Sequence, residues 1–232
     1  MKLTLKIVAV VSGGLVAGLV LCTLILYLWP FSFEGRTEAA VETLAKAEGN
    51  KESFFLNIVG DIVLATHGGN FPFKPIPDTI SLLGDGQIPN TFVMVTKFRD
   101  AFDGDVIAFG TELEIAHAES RMINGKLMTH TLWSIVVPGR GTLHLYQTEN
   151  NWQLFKRVIL PMLLSGKPFE GEFKGINTLG PLNDYQGLII GGTGEFSGLS
   201  GHFIEYGVLH GANPDGSLNG LMELRINYVP PR

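Results

Sequence analysis

The chain begins with one long apolar run. Residues Ile7–Trp29 are uncharged and almost wholly apolar, and Lys2 and Lys6 precede them. About 20 apolar residues let a helix cross a bilayer, so the run predicts an uncleaved transmembrane anchor. A cleaved signal peptide is the alternative, although no small-x-small cleavage site stands before Pro30. The positive-inside rule then places the rest of the chain on the extracytoplasmic side of the membrane, either periplasmic or extracellular.

The region around this run predicts how the chain is organised. Gly14 and Gly18 have the spacing at which two membrane helices pack closely, which would favour a homo-oligomer, although glycine is common in such helices anyway. Thr37–Glu48 has the composition of a short helix, with Thr37 able to cap its start and Gly49 its end. We therefore predict an anchor over residues 1–30, a helical spacer over 31–50 and one folded domain over 51–232.

After Asn50 the pattern changes to short strands separated by clusters of Gly, Asn, Asp and Pro. Many short strands with glycine-rich turns predict an all-β fold, either a sandwich or a closed barrel. A barrel of about eight antiparallel strands has room inside for side chains or for one small ligand. The predicted strands are Ser53–Thr66, Phe92–Phe98, Thr111–Glu119, Leu127–Val137, Thr142–Thr148, Glu172–Ile176, Gln186–Ile190, His202–His210 and Leu221–Tyr228.

Two segments depart from this strand pattern. Gly68–Asp78 is rich in proline and predicts an ordered loop that crosses a surface or a barrel mouth. Asn151–Gly166 has apolar residues at steps of three and four, which predicts a helical insertion near residues 151–166 that Pro161 would interrupt. This helix would be either a lid or membrane-facing helix near the barrel mouth, or an ordinary helix packed on the outside of the barrel.

Glycine is densest in the segment Gly191–Gly201, where five of eleven residues are glycine. A phosphate-binding loop would need a helix directly after the glycines and a nearby lysine. His202–His210 instead continues with the alternation of a strand, and no lysine follows closely. The segment therefore predicts a tight connection between two strands.

The same segment carries a family resemblance. Leu188–Gly201 resembles the Gly-Gly-[Ser/Thr]-Gly-x-Phe-x-x-x-x-Gly signature of the allene oxide cyclase and dirigent barrel superfamily. Gly141–Gln147 resembles the strand that precedes it there, and the similarity spans Thr111–Tyr228 with an interruption at Glu149–Lys174. The resemblance implies a closed barrel, a fold that is used by cyclases, pericyclases and binding proteins.

Composition and motif spacing exclude several kinds of function. With 45% hydrophobic and 17% charged residues the chain is not generally disordered. The net charge of -5 and the lack of a basic stripe predict no nucleic-acid partner. No histidine pair has the spacing of a metal site, and no Gly-x-Ser-x-Gly elbow of a hydrolase is present. We therefore expect neither a metal nor any other cofactor.

The candidate site residues come from strand alternation and from the resemblance. Allene oxide cyclases resemble one another in an Asn and a Glu on an early strand that position substrate or water. In the corresponding segment Ser53–Thr66, Asn57 matches that Asn in kind, and the Glu has no counterpart. Asp61 is the only acidic residue of this segment. Alternate strand residues share a face, and polar sets that face inward would line a mostly apolar cavity; if they face outward, they are only solvated strand faces. The candidate lining residues are Asn57, Asp61, His130, His144, Tyr146 and Glu205.

These observations leave three functions open. The first is a membrane-anchored barrel that takes a hydrophobic small molecule into its interior and acts as a cofactor-free cyclase or isomerase by folding a flexible substrate into a reactive conformer. The second is a non-catalytic carrier or sensor of lipids or other lipophilic ligands. The third is a membrane-tethered protein-interaction module with a filled barrel.

Overall fold

The computed structural model describes residues 2–28, 49–58, 60–67 and 91–230. Helix α1, Lys2–Leu28, covers almost all of the apolar run, and its side chains are described from Val11 to Leu24. In the described part of the chain, no helix is long and apolar enough to cross a membrane, so the structure does not support the predicted span. The predicted spacer helix Thr37–Glu48 and proline-rich loop Gly68–Asp78 lie outside the described residues.

Eleven strands of the described residues form one antiparallel sheet that closes on itself. The barrel consists of eight of them in the order β1-β11-β10-β9-β6-β5-β4-β3, and the pairing of Phe55 with Arg99 joins β3 back to β1. This confirms the predicted all-β barrel of about eight strands. The strands are β1 Asn50–Ile58, β2 Ile62–His67, β3 Thr91–Arg99, β4 Val106–Ala116, β5 Met128–Val137, β6 Gly141–Asn150, β7 Phe169–Ile176, β8 Thr178–Gly180, β9 Gly187–Gly192, β10 Ser200–Ala212 and β11 Leu218–Val229.

Three further strands extend the pairing of the barrel strands. β2 pairs with β3, β7 pairs with β10, and β8 pairs with β6. The predicted single strand Ser53–Thr66 is in fact two strands, β1 and β2, which run in the same direction along β3. A turn separates them, in which the backbone N–H of Asp61 donates to the carbonyl of Asn57. The predicted strand Thr111–Glu119 starts earlier, at Val106, and ends at Ala116.

Strand alternation divides the wall into an inner and an outer set of side chains. Along β4, Ala108, Gly110, Glu112 and Glu114 are buried, and the residues between them are exposed. Inside one half of the barrel, an apolar group that we name the main core is packed around edge-to-face rings, with Phe98 against both Phe54 and Trp133. Its members include Phe54, Leu56, Phe98, Trp133, Ile135, Leu143, Leu145, Phe203, Leu224 and Ile226.

The predicted helical insertion is present as residues 152–165. Its α-helical turns Trp152–Leu154 and Leu160–Ser165 flank a π-helical turn, Phe155–Ile159, and Pro161 lies at the start of the second α-turn, where its missing N–H costs little. The buried side of the insertion forms a second apolar group, which we name the end cluster: Trp152, Phe155, Val158, Ile159 and Met162 with Phe173, Leu209 and Ala212.

The end cluster shows where the insertion packs. Partly buried Leu127, Ile58 and Leu218 join it, and they lie just before β5, at the end of β1 and at the start of β11. In an antiparallel barrel these positions, together with Leu209 late in β10, are at one and the same end. The insertion therefore covers one end of the barrel, which favours the lid alternative over a helix on the outer wall.

The glycine-rich segment is a strand-to-strand connection, as predicted. β9 ends at Gly192, a 3-10 turn covers Gly194–Phe196, and β10 begins at Ser200. Within the described residues the glycines lead into this strand and into no helix of phosphate-loop type. The turn instead packs against the loop between β5 and β6, because the N–H of Glu195 donates to the carbonyl of Arg140 over 2.8 Å.

Candidate ligand site in the barrel interior

Three buried glutamates converge inside the barrel. Glu112 of β4, Glu149 of β6 and Glu205 of β10 are each 1–2% exposed, and one carboxylate oxygen of each lies within 4.8 Å of those of the other two. The three belong to the inward-facing positions of strands that are not all neighbours, so closure of the barrel is what brings them together. We name these three residues the glutamate cluster.

A hydrogen-bonded frame holds two of these carboxyl groups. Gln147 Nε2 donates to Glu205 Oε2 over 2.7 Å and to Glu149 Oε1 over 2.9 Å. The indole N–H of Trp133 donates to Glu205 Oε2 over 3.2 Å. Gln147 is fixed in turn by Thr178, whose hydroxyl donates to Gln147 Oε1 and accepts from the Glu205 backbone N–H. All of these side chains are buried, so the carboxyl oxygens have defined positions.

The glutamate cluster lies between the two apolar groups. Along β6, Leu143 and Leu145 of the main core precede Glu149, and Trp152 of the end cluster follows it. Along β10, Phe203 of the main core precedes Glu205, and Leu209 of the end cluster follows it. The neighbouring inward positions carry a further buried carboxyl group, two hydroxyl groups and two apolar side chains, namely Glu114, Thr129, Thr131, Phe92 and Met94.

This arrangement has two chemical capabilities. Carboxyl groups fixed within an apolar interior can orient a ligand through a few polar contacts and can take up or release protons. Three carboxylate oxygens at this spacing are also hard ligands of the kind that divalent cations prefer. Among the described residues, this is therefore the set that would hold a metal ion, and the expectation of no metal stays a prediction.

Of the sequence-predicted candidates, Glu205 lies in the glutamate cluster. Asn57 and Asp61 lie elsewhere, at the turn between β1 and β2, where Asp61 is 1% exposed. The carboxylate of Asp61 accepts hydrogen bonds from Arg99 Nε and Nη2 and from the Asn57 backbone and side-chain N–H groups. These hydrogen bonds connect the β1–β2 turn to Arg99, and the turn is not part of the glutamate cluster.

The pKa of Asp61 follows from these hydrogen bonds and the nearby positive charges. Burial on its own raises the pKa of the carboxyl group, but the hydrogen bonds from Arg99 and the Asn57 N–H outweigh it. The positive charges of Arg99 and Lys97 act in the same direction, and the pKa of Asp61 falls to about 2. Asp61 is therefore ionised under ordinary conditions.

His130, His144 and Tyr146 lie on the outer face of the barrel wall. They alternate with the inward residues Thr131, Trp133, Leu145 and Gln147, and they are only half-buried. His130 Nδ1 and the Tyr146 hydroxyl are 2.7 Å apart, and His144 Nδ1 lies 3.0 Å from Ser134 Oγ. Burial, and then the nearby His117, lower the pKa of His130. This placement corrects the expectation that the three residues line the interior.

The residues that sequence reasoning missed are Glu112, Glu149, Gln147 and Trp133. A signal for them was present, because Gln147 and Glu149 have the same parity on β6 as Leu143 and Leu145. In a closed barrel the parity of large apolar residues often marks the inner face, and the polar residues that share it then face inward too. His144 and Tyr146 have the opposite parity and therefore face outward.

Comparison with known proteins gives structural matches only. No family model matches the chain, and no curated protein matches it. Among solved structures, it is similar to pyocyanin demethylase at 12% identity, with a TM-score of 0.39 over 78% of this chain and 100% of that chain. It is also similar to two pterocarpan synthase dirigent proteins at 11% identity, with TM-scores of 0.41 and 0.43 over 78% and 80% of this chain and 84% and 97% of theirs.

Dirigent proteins are thus among the structures that this chain is similar to, as the resemblance of the glycine-rich segment implies. The description of the fold as a closed eight-stranded barrel rests on the strand pairing of the chain itself.

Proposed function

We propose that the barrel binds a small, largely apolar molecule at the glutamate cluster and acts on it as a cofactor-free isomerase or cyclase. The observation that carries this proposal is the convergence of the carboxyl groups of Glu112, Glu149 and Glu205 between two apolar clusters. An apolar site with a few convergent polar groups is the usual form of a small-molecule site. A purely structural core of this size has no need for three carboxyl groups within 4.8 Å.

The proposed chemistry is proton transfer between substrate and carboxyl groups. Glu205 accepts hydrogen bonds from Gln147 and Trp133, which favour its ionised form, so it is suited to remove a proton from a carbon of the substrate. A neighbouring carboxyl group retains a proton of its own, because like charges at this spacing are not all ionised, and donates it to another carbon. Transfer of the abstracted proton from Glu205 to this neighbour then restores both groups. The double bond of the substrate shifts or a ring closes, and no cofactor is consumed.

The insertion over the barrel end supports this chemistry. The end cluster covers the side of the glutamate cluster that lies away from the main core. Exclusion of water strengthens the electrostatic contacts of a bound substrate and protects reactive intermediates. A flexible apolar substrate held there would also be confined to few conformers, which lowers the entropic part of the barrier.

The first test identifies the ligand and the role of Glu205. The full chain is purified from its own host, and native mass spectrometry and extraction are used to find a co-purifying small molecule. We expect one apolar compound. The isosteric Glu205→Gln variant is expected to bind it about tenfold more weakly, a loss of about 1.4 kcal/mol in binding free energy. Glu119→Gln is the matched control, because Glu119 is exposed and pairs only with Lys126 among the described contacts. Its affinity is expected to match that of the unmodified chain.

The recovered compound then distinguishes enzyme from carrier. Incubation in deuterium oxide is expected to exchange a carbon-bound hydrogen, and Glu205→Gln is expected to slow this exchange at least tenfold. Binding without any exchange would contradict the catalytic proposal and favour a carrier of lipophilic ligands. That alternative is supported by the same insertion, which would close the barrel over a stored ligand. A chain that carries no compound and binds no neutral hydrophobic dye would contradict both and leave the filled interaction module.

Membrane anchoring and extracytoplasmic location stay predictions from the sequence. They rest on the uncharged run Ile7–Trp29 and on Lys2 and Lys6 before it. We expect the chain to remain with the membrane fraction after alkaline carbonate extraction, and its folded domain to be digested by protease added outside intact spheroplasts. Release by carbonate would refute the anchor, and protection from protease would refute the location. Neither result bears on ligand binding.

A further inference from the structure

The most exposed large apolar side chains of the described residues lie at one end of the barrel. Leu164 of the insertion is 79% exposed, and Ile123, in the loop between β4 and β5, is 67% exposed. Their neighbours Leu163 and Met122 are 60% and 41% exposed. Single exposed apolar residues are ordinary on protein surfaces, but two adjacent pairs at one end of a barrel indicate an interaction site. We name these four residues the apolar tip.

Hydrogen bonds connect the two segments that carry the apolar tip. The side chain of Asn150, at the end of β6, donates to the carbonyl of Gly125 over 3.1 Å and accepts from the N–H of Leu127 over 3.0 Å. The N–H of Asn151 donates to the carbonyl of Leu127 over 2.8 Å. The insertion begins at the next residue, Trp152, so the loop and the insertion are held by the same two asparagines.

Basic residues accompany the apolar tip on both segments. Residues 117–127 and 151–168 together contain five basic residues and one acidic residue: Arg121, Lys126, Lys156, Arg157, Lys167 and Glu119. Lys126 Nζ lies 3.2 Å from Glu119 Oε2, and Arg121, Arg157 and Lys167 are exposed. Other acidic residues near this end, Glu170 and Asp215, lie outside the two segments. The segments that carry the tip are therefore basic, although the whole chain has a net charge of -5.

The opposite end of the barrel has the reverse charge. Its loops after β3, β5 and β9 are residues 100–105, 138–140 and 193–199. They contain four acidic residues and one basic residue: Asp100, Asp103, Asp105, Glu195 and Arg140. The positive charge of Arg140 is already compensated, because its guanidinium group pairs with both Glu195 and Glu52. The barrel therefore has one basic end and one acidic end.

We infer that the basic end of the barrel docks on a membrane surface that contains anionic lipid. When a segment docks in this way, its apolar side chains enter the boundary between headgroups and acyl chains, and its basic side chains remain at the headgroups. The apolar tip and the exposed Arg121, Arg157 and Lys167 provide both parts of this contact. A lipid surface needs no matching shape. A specific protein interface has about 20–30 residues a side, many more than the tip offers.

Docking at this end is a separate claim from the predicted anchor. β1 begins at the opposite end of the barrel, so helix α1 precedes the end that lies away from the apolar tip. Residues 29–48 can reach at most about 70 Å, and β10, the longest strand, is roughly 45 Å long. An anchored chain can therefore still place the apolar tip on the same membrane.

The insertion connects this docking to the proposed function. Its buried side forms the end cluster beside the glutamate cluster, and its exposed side carries Leu163 and Leu164. An apolar molecule dissolved in lipid would therefore reach the covered end of the barrel without crossing water. This consequence rests on the proposed function, whereas docking itself does not.

The test measures the depth of the apolar tip in vesicles, because helix α1 alone could bind the full chain to lipid. The full chain is incorporated into vesicles of phosphatidylcholine and phosphatidylglycerol, with and without bromine on the phosphatidylcholine acyl chains. Leu164→Trp places a fluorescent side chain at the tip. After subtraction of the emission of the unmodified chain, which has three tryptophans, we expect brominated lipid to lower its emission at least twofold.

Val229→Trp is the matched control for this measurement. Val229 is 51% exposed and ends β11 at the opposite end of the barrel, so the same side chain is introduced away from the apolar tip. Its emission is expected to be the same in brominated and unbrominated vesicles. Unchanged thermal unfolding of both variants shows that neither substitution acts through folding.

A second measurement tests the basic residues. Arg121→Glu and Lys167→Glu, introduced together into Leu164→Trp, are expected to reduce the quenching at least twofold. Replacement of phosphatidylglycerol by phosphatidylcholine is expected to have the same effect on Leu164→Trp, because anionic headgroups attract the basic side chains.

Three outcomes would overturn this inference. One is quenching of Leu164→Trp that does not exceed that of Val229→Trp. The second is quenching that persists both after charge reversal and in pure phosphatidylcholine, which would remove the requirement for anionic lipid. The third is an unquenched tip together with a co-purifying protein that is lost in Leu164→Asp, which would make a protein the partner. All three are independent of ligand binding at the glutamate cluster.

Discussion

Replacement of Gly194 by alanine is expected to destabilise the barrel by about 3–4 kcal/mol, a change of more than 100-fold in the ratio of folded to unfolded chain. Gly194 has a φ of +61°, a left-handed conformation that costs a residue with a Cβ about 1–2 kcal/mol. An added Cβ would also overlap the carbonyl oxygen of Arg140 and crowd the Cα of Gly141. Both are main-chain atoms, so no side-chain rotation relieves the overlap.

The neighbouring hydrogen bonds explain why the main chain cannot move to make room for a Cβ at residue 194. The N–H of Glu195 donates to the Arg140 carbonyl, and the N–H of Thr193 donates to the Thr142 carbonyl, both over 2.8 Å. Movement of the turn far enough to admit a methyl group would break these bonds, each worth about 1 kcal/mol. Gly194 therefore serves the close approach of two loops, and this is one physical reason for glycine in this segment.

Gly139→Ala is the matched control. Gly139 lies in the opposing loop with a φ of +77°, so it has the same left-handed strain, but an added Cβ would meet no atom within 4 Å. We expect a loss of about 1 kcal/mol. Chemical denaturation of the two variants measures both values. Equal losses would show that left-handed strain alone, and not the close approach of the loops, requires glycine at Gly194.

Much of the fold was predictable from the chain because its determinants are local. Alternation marked most strands to within a few residues, and the glycine-rich segment indicated how β9 joins β10. The turn at Asp61 was missed, because its backbone hydrogen bond to Asn57 is supplemented by a side chain that accepts from Arg99, 38 residues later. Such a partner is not visible in the pattern around residues 57–61.

The candidate site was harder to predict because parity shows which residues share a face but not which face is inward. On β4 the outer residues Leu113 and Ile115 are as apolar as those of a core strand, and the inner residues Glu112 and Glu114 are acidic. Hydrophobicity therefore predicts the wrong inner face for this strand. The convergence of Glu112, Glu149 and Glu205 depends on closure of the barrel, which is a property of the whole sheet.

The second large effect on stability is expected at the Asp61 turn. Asp61→Asn is expected to cost about 3 kcal/mol at pH 7. The carboxylate, 1% exposed, accepts from Arg99 Nε and Nη2, and Arg99 Nη1 donates to the carbonyl of Gly104. Loss of the negative charge would leave the positive charges of Arg99 and Lys97 without their shared counter-ion. We expect this to loosen both the β1–β2 turn and the β3–β4 loop. Glu119→Gln, at an exposed ion pair with Lys126, is expected to cost less than about 1 kcal/mol.

Acid provides an independent check on the cause. The pKa of Asp61 lies below its ordinary value of 3.8, at about 2, so the folded state binds fewer protons than the unfolded state. Its contribution is therefore complete above about pH 5 and is lost as the pH falls from 3.8 through 2. With screening by solvent at the partly exposed Arg99 and Lys97, that contribution is about 1–2 kcal/mol. The free energies of unfolding of the unmodified chain and Asp61→Asn should converge by this amount between pH 6 and pH 2. A constant difference would mean that Asp61 acts through packing and not through its charge.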